Sequence, residues 1–120
     1  IGECIQRDDM APLYKDIREC DTIAIFSPVY WWQVSAQAKL FIDRLYALQK
    51  EDLEGKKLVV VVNGEEKDGD KEYQVLNSAF LMMADYLKMD LRFLGLGTDG
   101  EESWKDKEKW VEEFLQSTLN

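Results

Sequence analysis

The stretch that most constrains the fold is Lys57-Leu58-Val59-Val60-Val61-Val62-Asn63. Its apolar residues do not alternate with polar ones, so a strand here must be covered on both faces. Strands of that kind belong to parallel sheets, whose crossover helices lie against the sheet. Thr22-Ile23-Ala24-Ile25-Phe26 is short, apolar and β-branched, and reads as a second buried strand. Asp90-Leu91-Arg92-Phe93-Leu94-Gly95-Leu96 reads as a third.

Helical patterns fill the intervals. Asp8 and Asp9, then Pro12 in a first turn and apolar Leu13, Tyr14 and Ile17, predict a helix ending near Cys20-Asp21. Ser35 fits the N-cap of an amphipathic stretch from Ala36 to Leu48, in which Ala38, Phe41, Ile42, Leu45 and Leu48 recur at helical spacing. Glu54-Gly55-Lys56 is a turn, and residues 64–70 form an acidic loop. A long helix from about Lys71 to Lys88 offers Val75, Leu76, Ala79, Met82, Met83 and Tyr86 as its apolar side. Ser103 caps a final helix whose buried side includes Trp110, Val111, Phe114 and Leu115. Helix and strand alternate throughout, which predicts an α/β fold with parallel strands. Right-handed crossovers stack the connecting helices on one face and leave the last helix to cover the other.

Composition narrows the function. At 120 residues the chain fits one domain with one core. A net charge of -9 with no long basic run argues against nucleic acid, whose affinity comes mostly from neutralised phosphates. With no histidine, a Ser-His triad, a Cys-His pair and a His-ligated zinc site are all excluded. No apolar run is long enough to span a bilayer, and no signal peptide is visible. Cys4 and Cys20 do not make a disulfide framework, so a reducing, cytoplasmic setting is expected. Cys20 and the pair Met82-Met83 read as packed residues.

The candidate site begins at Ser27-Pro28-Val29-Tyr30-Trp31-Trp32, between the first strand and the helix at Ser35. In open α/β sheets ligands bind outside the carboxyl ends of the strands. Three aromatic rings there suggest a flat ligand; the alternative is that they are core or dimer contacts, and Trp32 is the ring given most readily to an interface. Asn63-Gly64-Glu65-Glu66 follows the strongest strand and reaches the same sheet edge. Gly64 would let backbone approach a ligand closely, while an ordinary turn is the other reading. No GxxxxGK[ST] phosphate loop is present, and these side chains make a poor phosphate cradle. Gly95-Leu96-Gly97-Thr98-Asp99-Gly100 is a weak signal for a loop at a cofactor rim. No side chain must act as acid or base, and no metal-ligand set is assigned.

The run from Ser27 through Gln33-Val34-Ser35-Ala36-Gln37-Ala38-Lys39-Leu40-Phe41-Ile42-Asp43-Arg44 resembles the flavin-binding segment of the flavodoxin-like NAD(P)H-dependent FMN reductases, which include the iron–sulfur flavoproteins. The family pattern is roughly S-P-V-Y-W, a few residues, then S-G-Q-M-K-x-F-I-D-R. Ala36 and Ala38 stand here where Gly and Met are usual. Gly2-Glu3-Cys4 followed by Asp8-Asp9-Met10 resembles the tail of the family's cysteine-rich segment.

The resemblance implies a three-layer αβα flavodoxin-like sheet of order 2-1-3-4-5, with the present strands as the third, fourth and fifth. The first two strands and the phosphate loop are then expected in residues preceding Ile1. It also implies FMN as cofactor, NAD(P)H as co-substrate, an acceptor such as a quinone, flavin, metal or redox protein, and a homodimer or higher homo-oligomer. Ser27, Pro28, Val29, Tyr30 and Trp31 would bind the flavin. In that arrangement the backbone of Pro28 to Trp31 meets the pyrimidine edge, and the Tyr30 and Trp31 rings pack on the isoalloxazine. Asn63, Gly64 and Glu65 would border it. An iron–sulfur cubane takes four thiolates, so Cys4 could ligate one only together with upstream cysteines. A flavodoxin-type electron carrier docking a basic partner, and a flavin-free fragment, are the alternatives.

Overall fold

In chain order the elements are α1 (Met10–Glu19), β1 (Thr22–Pro28), α2 (Ala36–Arg44), a 3-10 turn (Leu45–Ala47), α3 (Lys50–Leu53), β2 (Lys57–Gly64), α4 (Lys71–Leu87), β3 (Asp90–Gly97) and α5 (Trp104–Leu119). The computed structural model describes residues 4–97 and 104–119. The expected cap Ser103 and the distal part of the glycine-rich segment, Thr98-Asp99-Gly100, lie outside them, as do Ile1, Gly2 and Glu3.

The three strands form one parallel sheet of order β1-β2-β3. Ile25 pairs with Val60, and Val60 with Phe93. The central strand has Leu58, Val59, Val60, Val61 and Val62 all buried, as its unbroken apolar run requires. On one face Ile23, Ile25, Leu58, Val60 and Val62 pack with Tyr14 and Ile17 of α1, Leu45 and Leu53, and Tyr73, Leu76, Phe80 and Ala84 of α4. On the other, Val59, Val61 and Leu96 meet Val111, Phe114 and Leu115 of α5. The last helix thus covers the face that the crossovers leave, as right-handed connection requires.

Four expectations need correction. First, β1 is buried on one face only: Ile23, Ile25 and Ser27 are inside, while Ala24 and Phe26 are exposed. Phe26 pairs in register with Val61, which α5 covers, but α5 lies over β2 and β3 and does not extend across β1. Second, the buried side of α4 is Tyr73, Leu76, Phe80 and Ala84, with Met83 and Leu87 partly buried. Val75, Met82 and Tyr86, expected inside, are exposed. Tyr73 sets that rotation, because its ring packs so closely on β3 that a Cβ at Gly95 would lie 2.7 Å from Tyr73 Cγ. Third, the amphipathic stretch from Ala36 to Leu48 stops being α-helical at Arg44 and tightens into the 3-10 turn, which buries Leu45. Fourth, of the residues expected on the inner side of α5, Trp110 is exposed.

Local chemistry anchors the ends. The Ser35 hydroxyl accepts from Ala38 N at 3.2 Å and caps α2. The Arg44 guanidinium pairs with Asp8 and holds that carboxyl below the usual carboxylate range. Tyr14 donates to the Arg44 carbonyl at 2.8 Å, tying α1 to the end of α2.

Candidate functional site

The carboxyl ends of β1 and β2 lie side by side, Pro28 paired with Asn63, so the loops that leave them share one edge of the sheet. Between these loops is an open cleft of about 830 Å³. Pro28, Val29, Tyr30 and Trp31 line one side; Asn63, Gly64 and Glu65 line the other. Seven of the eight residues expected to hold a cofactor therefore meet in one place. Cavities of roughly 300–1,000 Å³ suit small-molecule and cofactor ligands.

Ser27, the eighth, does not line the cleft. It is buried, its hydroxyl donating to the Pro28 carbonyl and accepting from Ser35 N, both at 2.8 Å. One hydroxyl thus joins the start of the aromatic loop to the N-cap of α2.

The loop backbone is more occupied than expected. Val29 N donates to Asn63 O at 2.7 Å, extending the β1–β2 ladder by one bond. Tyr30 and Gln33 exchange both of their backbone hydrogen bonds, at 2.9 and 3.0 Å. Pro28 has no N–H to offer. Of the Pro28 to Trp31 backbone groups expected to meet a ligand, the Val29 and Tyr30 N–H groups are therefore already engaged, because the loop needs those donors to hold its own shape. Neither Trp31 N nor Trp32 N donates to another described residue.

The Tyr30–Gln33 pairing makes residues 30–33 a two-residue hairpin turn. Its central residues Trp31 and Trp32 have φ of 49° and 60°. Positive φ at both positions marks the mirror-image type I turn, which strongly prefers Asn and Gly. For bulky L-residues the left-handed region costs about 1–2 kcal/mol each. The two rings lie 6.0 Å apart, tilted by 43°, and Trp31 is 85% exposed. These rings do not belong to the core. Trp32, read from sequence as an interface residue, also lines the cleft.

The opposite side is acidic. Glu66 and Glu72 join Glu65 there. Glu72, which the sequence reading did not single out, sits in the first turn of α4, where a carboxylate suits the helix dipole. A first-turn acid beside a strand-end glycine was the available signal. A Cβ on Gly64 would lie 2.8 Å from Glu72 Oε1, so that glycine makes room for a carboxylate of the cleft itself. Three carboxylates disfavour a phosphate at this spot.

The acidic loop is fastened from several directions. The Tyr73 hydroxyl donates to Glu66 O at 2.8 Å and Gln74 Nε2 to Gly69 O at 2.9 Å. Gly97 N donates to Asp68 Oδ1 at 2.5 Å, while Lys107 reaches Asp68 Oδ2 at 3.4 Å. Burial, with the negative charges of Glu72, Asp68 and Glu66, pushes the Tyr73 hydroxyl up to about 12. A Cβ at Gly97 would collide with the Glu66 carbonyl oxygen and sit 2.6 Å from Asp68 N, so loop and strand touch backbone to backbone.

Comparison with known proteins places this arrangement. Residues 2–92 match the model of the NADPH-dependent FMN reductases. The chain belongs to that family. It is 52% identical over 44 residues to an iron-sulfur flavoprotein of Archaeoglobus fulgidus, a match covering 37% of this chain and 20% of that relative. The chain therefore spans about a fifth of that relative's length in the match. An NADPH-quinone reductase from P. pentosaceus superposes with a TM-score of 0.69 at 20% identity, over 88% of this chain and 71% of that one. General stress protein 14 from Treponema denticola, solved in complex with FMN, gives 0.65 at 19%, over 94% and 71%. A tryptophan halogenase from Streptomycin violaceusniger gives 0.73 at 15%, over 94% and 74%. At these identities the likeness shows the α/β flavodoxin-like fold and nothing more.

Among the described residues no group of three or more Cys, Asp or Glu side chains could hold a metal ion. No described helix is long and apolar enough to cross a membrane.

Proposed function

We propose that this chain forms the ring-binding part of an FMN-dependent NAD(P)H oxidoreductase. One observation carries the reading: the aromatic turn and the β2 loop, separated by about thirty positions in sequence, enclose a single cleft at the carboxyl edge of a parallel sheet. Cofactors bind at that edge in folds of this kind. Membership of the FMN reductase family supports the choice of ligand.

The residues present fit an isoalloxazine. The Trp31 and Tyr30 rings offer flat apolar area. Trp31 N and Trp32 N are donors without a partner among the described residues, suited to ring carbonyls. The carboxylates of Glu65, Glu66 and Glu72 keep the cofactor's phosphate away from this end, which orients the ligand. When bound, FMN supplies hydride acceptance from a nicotinamide and onward transfer to an acceptor. The protein's part is to bind, orient and shield.

The test is spectroscopic and kinetic. Purified protein loaded with FMN is expected to show flavin absorbance and to oxidise NAD(P)H when a quinone is added. Flavin absorbance without NAD(P)H oxidation would favour a flavodoxin-type carrier, which the net charge of -9 suits for docking a basic redox partner. Protein that remains colourless after FMN loading contradicts the reading.

A further inference from the structure

Among the described residues, Lys107 of α5 is the only charged residue that is buried, at 4% exposure. Lysine is almost never buried unless it is paired. Its described ion-pair partner is Asp68 of the acidic loop, whose Oδ2 accepts from Lys107 Nζ at 3.4 Å. The ammonium also stands 5.3 Å from the centre of the Trp110 ring, on the same helix. Such a pair adds little to stability, because desolvation offsets much of the attraction. What it fixes is position. Asp68 Oδ1 accepts from Gly97 N at 2.5 Å, so one carboxylate joins the loop after β2, the end of β3 and α5. Glu65 and Glu66, which line the cleft, sit just before Asp68 in the same loop. That loop is loaded with like charge at Glu65, Glu66, Asp68 and Asp70, which repel one another.

We infer that Lys107, which does not line the cleft, is a positioning residue for the flavin-binding rim: through Asp68 it anchors the acidic loop to α5 and sets the place of Glu65 and Glu66 beside the isoalloxazine. The inference rests on the flavin reading above. The loop is gripped from both faces of the sheet. From the α4 face the Tyr73 hydroxyl donates to Glu66 O at 2.8 Å. From the α5 face Lys107 holds Asp68, and Gly97 holds the same carboxylate from the strand between them. Without the ammonium, Asp68 loses its cation and the loop keeps its α4 grip alone. The last helix then reaches the cofactor site through a single ion pair.

The test titrates riboflavin, which carries the ring and no phosphate, into the full chain and its variants, and follows quenching of the flavin fluorescence. Lys107→Met removes the ammonium and keeps the apolar stem, and its Kd is expected to rise roughly fivefold. Lys107→Arg keeps a cation that can pair with Asp68, so its Kd should stay within about twofold of wild type. Asp68→Asn should weaken binding as Lys107→Met does, and combining the two should change Kd by less than about twofold further, since Lys107 acts on the ring only through Asp68. Amide exchange in residues 65–70 should speed up in Lys107→Met and return to wild-type rates in Lys107→Arg. A Lys107→Met chain with lowered Tm but a Kd within twofold of wild type overturns the positioning role. Full additivity in the double variant overturns the route through Asp68. If Lys107→Met fails to fold, Asp68→Asn, at a half-exposed site, decides, and an unchanged Kd there overturns the proposal. Wild type that gives no saturable quenching overturns the flavin reading and the positioning role with it, whereas unchanged exchange in residues 65–70 of Lys107→Met overturns the anchor alone.

Discussion

At the scale of single residues, the site depends on hydrogen bonds that fix loops more than on groups that react. Tyr73 is the clearest case. Its buried hydroxyl holds the Glu66 carbonyl, and so holds the acidic rim of the cleft. Tyr73→Phe should cost about 1 kcal/mol of unfolding free energy, read from denaturant midpoints. The pH response follows from the raised ionisation of this group, about 12 folded against 10 unfolded. Below pH 10 both states keep the proton and stability is unaffected. Between pH 10 and 12 the unfolded chain releases it first, so stability should fall across that window. Tyr73→Phe should remove this part of the fall; an identical pH profile in the variant would exclude the assignment. Gly97→Ala drives a methyl group into the Glu66 backbone and should cost about 1–3 kcal/mol, with faster amide exchange in residues 65–70. Some of this was legible in the sequence and some was not. Their place after two strands puts residues 28–31 and 63–65 at one sheet edge, the family resemblance implies one ligand for both, and they do line one cleft. Ser27 was not separable from its neighbours, because a buried serine and a ligand-facing serine look alike without a partner in view. Trp32 and Glu72 were missed for the same reason: a turn's handedness and a helix's rotation decide which side chains reach a cleft.

At the scale of elements, the strongest signal was the β2 run, whose two-sided burial follows directly from its unbroken valines. The weaker signals failed in an instructive way. On α4 several apolar residues outnumber the positions the sheet can cover, and the pattern Val75, Ala79, Met82 and Tyr86 is as periodic as the stripe that is buried. Close packing of Tyr73 on Gly95 chooses between them, and that contact spans two elements. The choice is measurable. Leu76→Ala should cost about 2–5 kcal/mol, whereas Met82→Ala, on the exposed side, should stay within about 0.5 kcal/mol. Equal losses in urea unfolding would contradict the rotation described here. The cap of α2 makes a smaller claim: Ser35→Ala should lose about 1 kcal/mol, plus whatever the Ser35 N–Ser27 hydroxyl bond loses if the helix start shifts.

At the scale of the whole molecule, three parallel strands bring the ends of β1 and β2 together and leave the ligand to the loops beyond them. The helix–strand alternation made this topology readable, since parallel strands need crossovers and crossovers have one hand. The one-sided burial of β1 was not readable, because its apolar sequence says only what it would bury, not what the fold supplies to cover it. The central claim is that the cleft between residues 28–32 and 63–66 takes the isoalloxazine ring. It is tested most directly by titrating the isotopically labelled chain with riboflavin, which carries the ring and no phosphate, and following backbone amide resonances. The account predicts saturable shifts concentrated at Val29, Tyr30, Trp31, Trp32, Gly64 and Glu65. Shifts confined to the apolar groove between α2 and α4, around Ile42 and Met83, or no saturable shift at all, would contradict it.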